Sequence, residues 1–95
     1  MGLEFIHYLE GIIKDRKENP SEDSYTSRLF GKGLNKIAQK LGEEAVELLI
    51  EAKDNDEELF KNEAADLFFH YLVLLAEKGY NIDEIIDVLK ERHKN

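Results

Sequence analysis

Residues 34–79 read LNKIAQKLGEEAVELLIEAKDNDEELFKNEAADLFFHYLVLLAEKG. In the first half, Leu34, Ile37, Ala38, Leu41, Ala45, Leu48, Leu49 and Ala52 recur at helical spacing and form one apolar stripe over residues 34–53. The DND at 54–56 is a short turn, and a second helix from about Glu57 to Lys78 is stopped by Gly79. A turn this short makes the two helices antiparallel neighbours. Within the second, residues 67–76 are apolar in almost every direction. One small chain cannot cover such a helix alone, which predicts a second copy against it.

Outward from this pair the pattern stays helical. Residues 3–18 place Leu3, Ile6, Leu9, Ile12 and Ile13 at helical spacing before Asn19-Pro20 ends the run. SEDSYTS at 21–27 reads as a polar connection holding several possible N-caps. Beyond Gly79, Asn81 with Glu84 three residues on forms a capping box for a last helix whose Ile82, Ile85, Ile86 and Leu89 face inward. No stretch alternates with period two. The expectation is an all-α fold of four to five helices in a single domain over 1–95, built on the antiparallel pair and assembled as a helical-bundle homo-oligomer.

Composition narrows the function classes. The 95 residues carry a net charge of −8, which disfavours nucleic acid as a partner. There is no cysteine, so disulfides and thiolate zinc sites are excluded. The start lacks the basic and apolar regions of a signal peptide, and no run approaches the roughly 20 apolar residues of a membrane span. These features predict a soluble cytoplasmic protein with no membrane partner.

The carboxylates carry the chemistry. On the second helix of the pair, Glu63, Asp66 and His70 point the same way as Leu59, Val73 and Leu74. On the first, Glu44 borders the apolar stripe, with Glu47 and Glu51 one step outside it. Glu44 and Glu47 can then face Glu63 and Asp66 across the hairpin. Such a cluster is costly unless a divalent cation neutralises it, and all-oxygen ligands favour Mg²⁺, Mn²⁺ or Ca²⁺. With 21 acidic residues, an E-E-x-x-E pattern arises by chance on the order of once. The apolar placement of Glu63 and Asp66 therefore matters more than the spacing. A salt bridge to lysine or arginine is the competing explanation. His70 reads as a satisfied core histidine, His7 and His93 as surface residues, and Glu43, Glu51, Glu57 and Glu58 as solvated. Arg28, Lys32, Lys36 and Lys40 precede the acidic motif and Lys53 follows it. They suit either a polyphosphate approaching through a metal or helical ion pairs such as Lys40 with Glu44.

SYTSRLFGKGLNKIAQKLGEEAVELLIEAK together with EAADLFFHYLVLLAEKG closely resembles the phosphoribosyl-ATP pyrophosphohydrolase family, within the all-α MazG-like pyrophosphatases. Their E-E-x-x-E and E-x-x-D signature is met by Glu43, Glu44, Glu47, Glu63 and Asp66. The resemblance implies Mg²⁺, with Mn²⁺ as a substitute, on Glu44, Glu47, Glu63 and Asp66. It implies hydrolysis of phosphoribosyl-ATP to phosphoribosyl-AMP and pyrophosphate, in the second step of histidine biosynthesis. Phosphate contacts would fall to Arg28, Lys32, Lys36 and Lys53, and proton transfer to Glu43 or Glu47. A homodimer or higher oligomer is implied too, and the following pathway step is expected to lie in another protein. The alternatives are a house-cleaning pyrophosphatase for a non-canonical nucleotide and a non-enzymatic helical adaptor.

Overall fold

A computed structural model describes residues 2–94. Five helices follow one another: α1 (Gly2–Glu18), α2 (Tyr25–Lys32), α3 (Leu34–Ala52), α4 (Glu57–Lys78) and α5 (Ile82–Arg92). Among the described residues there is no strand, and no helix is long and apolar enough to cross a membrane.

The α3–α4 hairpin is the most extensive helix pairing. Asp56 caps α4 by accepting from the Leu59 amide at 3.0 Å, and Glu57 and Glu58 complement the positive end of the helix dipole. At the other end Gly79 takes a left-handed conformation (φ 85°), and the Tyr80 amide reaches back to the Leu75 carbonyl at 2.8 Å. The Asn81–Glu84 capping box forms as expected.

The polar connection is partly helical, which corrects the sequence reading. Ser24 accepts from the Ser27 amide at 3.1 Å and starts α2, so Tyr25, Thr26 and Ser27 lie inside a helix. Eight residues are too few to display a period, yet Leu29 is buried and the Ser27 hydroxyl donates to the Arg16 carbonyl of α1 at 2.7 Å. Gly33 then separates α2 from α3 with φ 92° and ψ 175°, a region essentially reserved for glycine.

Ile13, Leu29, Ile37, Leu72, Val73, Leu75 and Ile82 form the core, where α1, α2, the start of α3 and the end of α4 meet. The far half of the hairpin lies outside it. Val46, Leu49 and Ile50 on α3 and Leu59 and Phe60 on α4 are all exposed, Leu49 by 64%. Leu3, Leu34 and Leu89, which the periodicity points inward, are exposed as well. The radius of gyration is 14.6 Å, against about 12 Å for a compact domain of this length. The accessible surface is 6932 Å², against roughly 5,600 Å² for a monomer of this size.

Candidate metal centre

Three carboxylates converge between α3 and α4. One oxygen from each of Glu44, Glu63 and Asp66 lies within 4.8 Å of the others. Glu44 is 7% exposed and Glu63 half-buried, while Asp66 stands at the open edge. Oε2 of Glu44 and Oε2 of Glu63 are buried without a hydrogen-bond partner. Buried acceptors of this kind normally have a partner, so two orphans aimed into one cluster require an explanation.

Electrostatics point the same way. Burial pushes the Glu63 carboxyl up to about 7, helped by contact with the Glu47 carboxylate and the repulsion of Glu47 and Glu44. Its displacement arises from burial and like charge, and both effects are relieved by a cation. The donor set fits a hard divalent ion, since every atom is a carboxylate oxygen.

Glu47 lies beside Glu63 but outside the group of three, on the exposed side of α3. Glu43 points outward, accepts from Gln39 Nε2 at 2.9 Å and stays below the usual carboxylate range through that bond and the nearby Lys40 and Lys36. Glu51 corrects the sequence reading: it is half-buried, and its Oε1 is a third orphan. Seven residues separate it from Glu44, a spacing that returns to within about 20° on the helix. That spacing was the signal for it.

The cation nearest the cluster is Lys40. Its ammonium lies 3.6 Å from Glu44 Oε1 and 3.7 Å from Glu43 Oε1. Burial would lower its pKa, but the Tyr25 hydroxyl and the Glu44 and Glu43 carboxylates outweigh that and hold it above the usual lysine range. The helical ion pair exists, therefore, and still leaves the second Glu44 oxygen and Glu63 without a counter-charge. Arg28 is bound by the Glu22 carbonyl at 2.7 Å. Lys32 and Lys36 flank Gly33, whereas Lys53 caps the opposite end of α3. Lys36 and Lys53 are about 25 Å apart along the helix, too far for one phosphate to touch both in a single chain.

His70 is a satisfied core histidine, as expected. It is 6% exposed, with Nδ1 2.7 Å from the Asp66 carbonyl oxygen and Nε2 2.8 Å from the Tyr25 hydroxyl. The Tyr25 contact was invisible in sequence because it joins residues 45 positions apart. His7 pairs with Asp83 at 3.0 Å on the surface, and exposed His93 contacts the Leu89 carbonyl.

Comparisons with known proteins place the chain in a family. The profile of the phosphoribosyl-ATP pyrophosphohydrolase family matches residues 6–93. A phosphoribosyl-ATP pyrophosphatase of Bacillus mycoides is 46% identical over 90 residues, which cover 95% of this chain and 84% of that protein. One from Zymomonas mobilis is 45% identical over 92 residues, covering 97% and 86%. The histidine biosynthesis bifunctional protein HisIE of Bacillus subtilis is 49% identical over 88 residues, which cover 93% of this chain and 42% of the relative. The chain thus spans less than half the length of the bifunctional proteins it matches. On the strength of a match over nearly its whole length, the chain belongs to the phosphoribosyl-ATP pyrophosphohydrolase family.

Proposed function

We propose that this protein hydrolyses phosphoribosyl-ATP in the cytoplasm, giving phosphoribosyl-AMP and pyrophosphate, with Mg²⁺ or Mn²⁺ held by Glu44, Glu63 and Asp66. The observation that carries the reading is the pair of buried, unpartnered oxygens on Glu44 and Glu63, with the Glu63 carboxyl itself raised to about 7. The cation supplies charge neutralisation at the phosphate oxygens and the leaving pyrophosphate. The chain supplies the rest. Glu47, beside Glu63 and free of the Gln39 and Lys40 contacts that depress Glu43, is the better placed to orient water and accept its proton. Lys40, Lys36 and Lys32 offer cations along the α2–α3 junction for the polyphosphate, and Arg28 joins them on release from Glu22.

The same reading includes a homodimer or higher oligomer. The surplus surface and the apolar arm of the hairpin support it, since about 800 Å² per partner suffices for a stable interface.

The test is a substrate panel of phosphoribosyl-ATP, deoxynucleoside triphosphates and ATP, each with Mg²⁺ and with chelator. Release of pyrophosphate from phosphoribosyl-ATP alone, abolished by chelator, is the expected result. Preference for a deoxynucleotide would give the house-cleaning reading, and no turnover at all the adaptor.

A further inference from the structure

A chain of polar contacts starts beside the carboxylate cluster and runs from α4 to α2. It starts at the Asp66 peptide of α4, whose carbonyl oxygen lies 2.7 Å from His70 Nδ1. A carbonyl can only accept, so Nδ1 carries the proton. In the neutral ring Nε2 is then an acceptor, and at 2.8 Å it takes the Tyr25 O–H. The tyrosine proton is committed inward, and its oxygen faces outward as an acceptor only. Tyr25 is the first residue of α2 and 44% exposed, its ring edge-on to His70 at 81°.

Asp66, His70 and Tyr25 thus form a chain that links the peptide of one cluster carboxylate to the start of α2. Hydrophobic packing does not require this chain. The core is made by Ile13, Leu29, Ile37, Leu72, Val73, Leu75 and Ile82, and a phenylalanine at position 25 would fill the same ring space.

We propose that Tyr25 and His70 are positioning residues, which tie the Asp66 turn of α4 to the start of α2 and so fix where Asp66 enters the carboxylate cluster. His70 fixes the peptide from which the Asp66 side chain springs. Tyr25 locks His70 in one tautomer. The inference rests on the reading that Glu44, Glu63 and Asp66 hold a divalent cation, and its test separates the two.

In metal-free protein labelled with ¹⁵N at histidine, the His70 ring should show the Nδ1–H tautomer, the reverse of the form imidazole favours in water. Tyr25→Phe should raise the Mn²⁺ dissociation constant, read from the paramagnetic resonance of free Mn²⁺, by about tenfold, and lower kcat while KM stays within about twofold. His70→Asn, which places an N–H near the Nδ1 position, should keep more Mn²⁺ affinity than His70→Gln. An Nε2–H tautomer, or Tyr25→Phe binding Mn²⁺ as well as the wild type, overturns the proposal. Wild type that binds no Mn²⁺ overturns the metal reading and the proposal together. Wild type that binds Mn²⁺ but leaves phosphoribosyl-ATP intact overturns only the substrate, and the Tyr25→Phe result then stands on its own.

Discussion

In the proposed metal centre Glu63 would link proton, metal and stability in one side chain. Its carboxyl is raised in the fold from the ordinary 4.5 to about 7, so the native state holds a proton that the unfolded chain has lost between those values. The metal-free protein should therefore be most stable below about pH 4.5 as far as this group is concerned, and lose that contribution as pH rises through 7. Melting temperatures taken with chelator at pH 5, 6, 7 and 8 should fall along the series relative to Glu63→Gln, and Mg²⁺ should remove the decline. Metal binding at pH 6 should also release a proton, visible as a buffer-dependent heat, and release little at pH 8. Glu63→Gln keeps the shape without the charge. It should lose activity on the order of 100-fold or more and lose the Mg²⁺-induced rise in melting temperature, yet leave the metal-free protein at pH 8 at least as stable as before. At this scale Glu63 was legible because an acid on an apolar stripe needs a reason, whereas Asp66, read onto the same stripe, is exposed. Ion pairing of Lys40 with Glu44 was the alternative explanation for the basic run, and that ion pair is present. Tyr25 was out of reach, since a lone tyrosine in a polar stretch carries no mark of a partner 45 residues away.

Helix boundaries follow from caps more than from periodicity. Gly79 and Asn81 announce the end of α4 and the start of α5 and are found in those roles, while the DND turn supplies Asp56 as the cap of α4. For α2 the cap at Ser24 was among several possibilities, and eight residues gave too little pattern to choose it. The junction after α2 has a conformational demand of its own. At Gly33 a Cβ would meet nothing within 4 Å, so the cost of a side chain there is purely one of backbone. Gly33→Ala should destabilise the protein by about 1–3 kcal/mol. Gly31→Ala, in α2 with equally open space, should be neutral or stabilising by up to about 1 kcal/mol. Chemical denaturation of the pair separates backbone strain from crowding.

For the whole molecule, periodicity identified which helical faces are apolar but not which of them this chain covers. Leu49 and Leu48 share a stripe, yet Leu49 is 64% exposed and Leu48 half-buried: about 100° of helix rotation separates them, and this chain covers only one of the two directions. Leu49→Lys should leave the melting cooperativity of the core intact and shift sedimentation equilibrium towards the single chain. A wild-type protein that sediments as a monomer at micromolar concentration would refute the assembly. The hairpin also bears on how the molecule is made. Its two long helices are joined by only residues 53–56, so their pairing closes a short loop and belongs to the fast class of folding events. Docking of α1 and α5 brings together distant parts of the chain, as in the 2.7 Å contact of Glu10 with the Ile82 amide, and must follow. In the proposed oligomer, partner capture would come last and depend on concentration. Stopped-flow refolding should resolve an early phase indifferent to dilution and a late one that slows with it, and only the late phase should create the fully protected arm. A nascent chain would thus expose the apolar arm for as long as its concentration stays low, making scarcity, rather than heat, the condition under which this protein is most prone to stick to others.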